Sequence, residues 1–191
     1  MTTVRSMKRT LLSKKGQSLI ELTLLTPLML LMVYGVVEVG SVISTYLQLT
    51  HTTREGANLI SRGTPVSTAL VAIRDGAAPT IRTNNLGQWR IIYTEIVQDG
   101  TVPCPPPQPC TYKVNNHVIQ GSLGQLSKLG GVGTIITPSI LPGIENIGPS
   151  QKFDVIEVYY DYGPNAISWI TKNIDKLFYD RTIFTRVSGK V

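Results

Sequence analysis

Charge disappears from the chain between Glu21 and Glu38. The sixteen residues Leu22–Val37 carry none, and apolar side chains occupy every helical face of that run. At 1.5 Å per residue the run spans roughly 24 Å, short of the ~30 Å hydrocarbon layer. A membrane-crossing helix must therefore take in one of the glutamates or hold both near the two interfaces. Continuing through Val39–Ile43 makes about 22 residues, enough to cross. A buried core helix is the competing reading, but core helices rarely stay apolar all round for this length. Helical sequence continues through His51–Arg62, so the pattern predicts one long helix over 17–62, with its transmembrane segment at about 22–43. Pro27 frees one backbone carbonyl and is expected to kink the membrane half, which helical spans tolerate.

Beyond Arg62 the periodicity changes. Thr64-Pro65 offers a cap followed by proline at the first helical position, and Val66, Ala69, Leu70 and Ile73 repeat at helical spacing up to a stop at Gly76. Runs rich in Ile, Val, Tyr, Phe and Thr predict strands at 88–98, 111–119, 152–162 and 182–187. In the third, Ile156, Val158, Tyr160 and Tyr162 share one face. Glu157 and Asp161 share the other, which is expected to face solvent. A helix is expected at 166–177. Residues 121–150 hold seven glycines and three prolines and predict a long irregular connection, with one short helical turn at 123–128. The expected fold class is α+β: a long N-terminal helix, then an extracytoplasmic domain over 63–191 built on a small antiparallel sheet with short helices.

The formal charge of +6 invites a nucleic-acid reading until the charges are located. Five of the 18 Lys and Arg residues (Arg5, Lys8, Arg9, Lys14 and Lys15) precede Gly16, and none of the 12 acids does. The remainder carries 13 basic and 12 acidic residues, a net of +1. A nucleic-acid footprint needs a basic face on the folded domain, so no nucleic-acid partner is expected. Positive charge ahead of the span places the N-terminus in the cytoplasm and the C-terminal body outside. A secretory signal peptide would have a shorter apolar region and a small-residue cleavage site; here the run is longer, and Tyr46, Leu47, Gln48 and Leu49 follow it.

The stretch Lys14-Lys15-Gly16-Gln17-Ser18-Leu19-Ile20-Glu21, a basic leader ending in glycine with a carboxylate five residues further, resembles the prepilin-peptidase signal of type IV pilins and pseudopilins. Together with Glu21-Leu22-Thr23-Leu24-Leu25-Thr26-Pro27-Leu28-Met29-Leu30-Leu31, Glu38-Val39-Gly40 and Arg54-Glu55-Gly56-Ala57, it resembles the TadE-like family over about residues 14–62. Members of that family are minor pilins or pseudopilins of the tight-adherence (Flp, type IVc) pilus. The resemblance implies a leader over 1–16 and cleavage between Gly16 and Gln17 by a prepilin peptidase at the bacterial inner membrane. The implied partners are other pilin and pseudopilin subunits, the inner-membrane assembly platform and the lipid bilayer.

Glu21 lies one helical turn beyond the proposed new N-terminus. An intramembrane carboxylate costs about 2.5–3.5 kcal/mol at a helix centre, so it ordinarily has a partner. The resemblance makes that partner the N-terminal amine of a neighbouring subunit. The simpler reading is a first-turn glutamate favourable to the helix dipole. Glu38 lies about 100° around the helix from Glu21 and reads either as a residue at the outer interface or as an assembly contact.

Cys104 and Cys110 bracket Pro-Pro-Pro-Gln-Pro between the first two predicted strands. Outside the cytoplasm such a pair most simply forms a disulfide. In polyproline geometry the two Cα atoms would stand ~19 Å apart, whereas a disulfide needs about 4.4–6.8 Å; the loop must therefore turn. Zinc is the rival, with His117 nearby, but the spacing is wrong for a knuckle. Gly131-Val132-Gly133 and Ser188-Gly189-Lys190 are fragments of nucleotide motifs without the rest, and no Gly-x-Ser-x-Gly elbow occurs. The sequence thus predicts a structural protein, with no catalytic residue, metal or cofactor. Its expected role is a minor pilin assembled through its hydrophobic helix and supporting pilus assembly and surface adhesion. The alternative is a single-pass anchored binding domain that never enters a filament.

Overall fold

The computed structural model describes residues 3–78, 86–100, 110–142, 144, 152–163 and 177–186. It divides into two compact units, Met1–Ile43 and Ser44–Val191. The first helix, α1, is Thr3–Ser61 and belongs to both. It begins well before the expected Gln17, because Thr3–Lys15 contains no glycine or proline and is rich in good helix formers such as Leu, Met, Lys and Arg. It ends at Ser61, beside Gly63 (φ 91°), whose N–H bonds the Ile60 carbonyl at 2.9 Å.

The Ser44–Val191 unit is α+β. Among the described residues its elements after α1 are α2 (Val66–Ala77), a short 3-10 helix (Leu86–Gln88), β1 (Trp89–Gln98), β2 (Tyr112–Gly121), β3 (Ile135–Ile136), β4 (Lys152–Asp161) and β5 (Leu177–Arg186). The five strands form one antiparallel sheet in the order β3-β2-β1-β4-β5. Pro65 is the N-cap of α2, and the helix passes Gly76 to end at Ala77. Its expected apolar stripe is the buried one: Ala69, Leu70 and Ile73 are buried, and Val66 packs at the margin.

Strand register sorts the side chains onto two faces. Ile91 pairs with Val158 and Tyr93 with Ile156; these side chains meet Leu49, Ala57 and Ile60 of α1 and the buried stripe of α2. Ile96 pairs with Phe153 and Thr94 with Val155, on the opposite face, where Leu129, Leu141 and Ile144 cover them. The sheet is therefore sandwiched between helices and an irregular segment.

That second layer corrects three expectations. The face of β4 carrying Glu157 is not solvent-facing: Glu157 is fully buried, as are Phe153, Val155 and Tyr159 of the same parity, and Asp161 is half-buried. The expected helical turn at 123–128 is irregular chain, because its backbone bonds go to the sheet: Leu123 N–H donates to Trp89 O at 3.3 Å. Finally, β5 begins at Leu177, five residues before the expected 182, in unbroken register with β4 from Asp161↔Leu177 to Lys152↔Arg186. Of the helix expected at 166–177, residues 166–176 lie outside the described residues, as do Val187 and Cys104, and Leu177 is the first residue of β5.

Candidate functional site

Within the Met1–Ile43 unit, the helix from Ser18 to Ile43 would extend ~39 Å, more than the hydrocarbon layer requires. It is long and apolar enough to cross a membrane. Its apolar side chains point outward in every direction; Leu24 and Val36 are each 73% exposed. Unlike a core helix, its most apolar stretch is not buried within the protein. Three of the hydroxyls in this stretch are satisfied by the helix itself. Thr23 Oγ1 donates to Ile20 O at 2.8 Å, Thr26 Oγ1 to Leu22 O at 2.7 Å, and Ser41 Oγ to Glu38 O at 2.8 Å. Such internal bonds are what a lipid environment demands of polar groups. The helix α1 continues past Pro27.

Gly16 lies inside α1 rather than before it, with open space where a Cβ would be. Glycine weakens a helix by about 1 kcal/mol relative to alanine, so the Gly16–Gln17 bond sits at a locally soft point of a continuous helix. Glu21 is exposed. Glu38 is half-buried, and its Oε1 is buried without a hydrogen-bond partner among the described residues. The two glutamates are not brought together, in keeping with their angular separation.

A second polar constellation, missed by the sequence reading, lies inside the Ser44–Val191 unit. Glu157 of β4 accepts from Ser127 Oγ, from the Lys128 N–H at 3.1 Å and from the Tyr179 hydroxyl at 3.0 Å. The Tyr159 hydroxyl shares its one proton between Leu126 O at 3.1 Å and Glu157 Oε1 at 3.3 Å. Lys128 Nζ sits 3.6 Å from the centroid of the Tyr179 ring, a cation–π contact. Burial, reinforced by the adjacent Glu157 carboxylate, pushes both tyrosine hydroxyls well above their ordinary pKa, so they remain donors. His117 of β2 is shifted downward by desolvation, with Glu157 opposing the shift. The signal that could have exposed this cluster was present. Phe153, Val155 and Tyr159 make the Glu157 parity as apolar as the other, the mark of a strand buried on both faces.

Both oxygens of the Glu157 carboxylate are already engaged by neighbouring donors. Among the described residues no group of three or more His, Cys, Asp or Glu side chains could hold a metal ion. At the β1–β2 connection, Asp99 N–H donates to Thr111 O at 2.7 Å, and Lys113 Nζ meets Asp99 Oδ1 at 2.9 Å, so the two ends of the loop are held together. Cys110 stands half-buried at one of those ends, and no free cysteine occurs among the described residues.

Residues 16–58 match the family model described as TadE-like protein. That span covers the exposed apolar helix, both glutamates and the Gly56-Ala57 pair, in agreement with the resemblance read from the sequence. No curated protein and no solved structure matches the chain.

Proposed function

Starting from a TadE-like N-terminal helix, we propose that this chain is a minor pilin, or pseudopilin, of a tight-adherence (Flp, type IVc) pilus. The observation that carries this reading is that the family match over residues 16–58 takes in the exposed apolar stretch Leu19–Ile43 of the helix. In this reading the chain starts as a single-pass inner-membrane protein with its N-terminus in the cytoplasm and its sheet domain outside. A prepilin peptidase removes the basic leader between Gly16 and Gln17, and the mature subunit packs laterally through its apolar helix as the assembly platform draws it from the bilayer. The work is assembly and support of adhesion, not catalysis. Glu21 meets the freed amine of a neighbour. Glu38 is a second assembly contact, supported by its unpartnered carboxylate oxygen, since a buried unpaired acceptor favours any geometry that supplies a donor.

Cleavage is the test. N-terminal sequencing from cells with an active prepilin peptidase should begin at Gln17. Gly16→Leu should leave the leader attached, because a side chain there obstructs close approach to the scissile backbone. Glu21→Ala should still be cleaved while incorporation into filaments falls. A wild-type N-terminus at Met1 or Thr2 would overturn the pilin reading in favour of a simple membrane anchor.

A further inference from the structure

The irregular segment 122–142 is attached to the sheet along a defined track. Gly121, Arg90, Tyr159 and Tyr179 form one cross-strand row through the pairs Arg90↔Gly121, Arg90↔Tyr159 and Tyr159↔Tyr179. The segment follows that row. Leu123 O accepts from Arg90 Nη1 at 2.8 Å, Leu126 O lies by the Tyr159 hydroxyl, and Lys128 Nζ covers the Tyr179 ring. It has then crossed β1 and β4 to reach β5. It reverses at Gly130 (φ 87°), where a Cβ would come within 2.7 Å of Thr134 Oγ1, and adds β3 to the far side of β2. It then returns to β5, where Arg181 Nη1 donates to Ile140 O at 3.3 Å.

Among the described residues β5 is an edge strand, paired through its register only with β4. Edges with few partners are where a sheet opens first. We infer that the Glu157 cluster is a clasp between segment 122–142 and β5, so that the two open together as one unit. The β1–β2 and β1–β4 pairings and α2 stay closed when they do.

One carboxylate makes the joint. It accepts from the segment through Ser127 Oγ and the Lys128 N–H, and from β5 through Tyr179. A carboxylate offers two acceptor oxygens and no donor, so it suits a site where donors converge from three elements. Ser127 extends the joint by accepting the Leu129 N–H at 3.1 Å, which fixes the turn that carries Lys128. The apolar face beneath, with Ile96, Val114 and Val155, is reached by solvent through opening of this clasp. The irregular connection is thus a fixed third layer of the domain, joined to β5 mainly at this cluster and again where Arg181 Nη1 donates to Ile140 O.

Hydrogen exchange of the full chain in detergent micelles, read by mass spectrometry, tests this. Glu157→Gln replaces one acceptor oxygen with a donor amide that faces other donors. It should speed exchange about tenfold or more in 122–130 and 177–183 together, and change 66–77 and 91–97 by less than about twofold. Ser127→Ala and Lys128→Met should give the same paired pattern at smaller amplitude, and they decide the matter if Glu157→Gln does not accumulate. Faster exchange in only one of the two segments, an even rise across the sheet, or no change would each overturn the clasp.

Discussion

Gly56 shows how a single residue can carry opposite meanings locally and in the tertiary structure. Helix propensity alone would favour alanine there by about 1 kcal/mol. Yet a Cβ at Gly56 would stand 2.2 Å from both Cγ1 and Cδ1 of Ile73, which is buried in α2. The glycine is what lets α2 lie against α1. Overpacking of this kind costs about 1–3 kcal/mol, so Gly56→Ala should be net destabilising and lower the urea midpoint. Ile73→Ala should cost less in the Gly56→Ala background than in the wild type, because the removed atoms are those the new methyl meets. Additive effects in that cycle would mean that the contact does not limit packing. The sequence marked Gly56 as the one interruption between His51 and Arg62, but the reason for it, a branched side chain seventeen residues away, is tertiary information. Glu157 differs, because its burial could have been read from the apolar residues flanking it at i−4, i−2 and i+2.

At the scale of elements, what could be read from the sequence follows periodicity. The stripe of α2 and the cores of β1, β2 and β4 were legible because ten-residue strands and a twelve-residue amphipathic helix repeat their pattern several times. β3 is two residues long, too short for any period, and exists because the returning segment meets the free edge of β2. The early start of β5 is imposed by pairing with β4, which tolerates Asp180 and Arg181 in mid-strand. The hairpin between β1 and β2 carries a prediction of its own. Gln98 pairs with Tyr112, so the loop holding Cys104 and ending at Cys110 is closed at its base, a geometry that favours our proposal that the two cysteines are oxidised to each other. Closing so short a loop contributes about 2 kcal/mol in the entropy model, less where prolines already stiffen the unfolded loop. Alkylation of exported protein without reductant, followed by intact-mass measurement, should show no added label. Two alkylated thiols would rule the bridge out.

For the whole molecule the informative boundary falls within α1. The sequence pattern suggests that a soluble outer part could begin near Thr50, just past the apolar run. The second compact unit begins at Ser44 instead, and the intervening residues are integral to it. Leu49 is fully buried in the helix-covered core, Thr45 is 3% exposed, and Gln48 Nε2 donates to Gly76 O at 2.9 Å. The Tyr46 ring meets Phe178 edge-on at 6.1 Å. A fragment comprising Ser44–Val191 lacks Leu19–Ile43, where the apolar side chains have no cover within their own unit, and should stay in the soluble fraction of a flotation assay. A fragment starting at Thr50 should also avoid membranes but unfold more readily, because losing the Leu49 side chain from a closed core costs about 2–5 kcal/mol. The sharper comparison is with Leu49→Ala placed in the Ser44 fragment. That substitution should recover most of the difference in urea midpoint between the two fragments, since Leu49 is the largest fully buried side chain among the residues removed. Equal midpoints for the Ser44 and Thr50 fragments would place the structural boundary at Thr50 instead. Flotation of the Ser44 fragment with vesicles would show instead that a membrane-binding surface lies beyond the N-terminal helix.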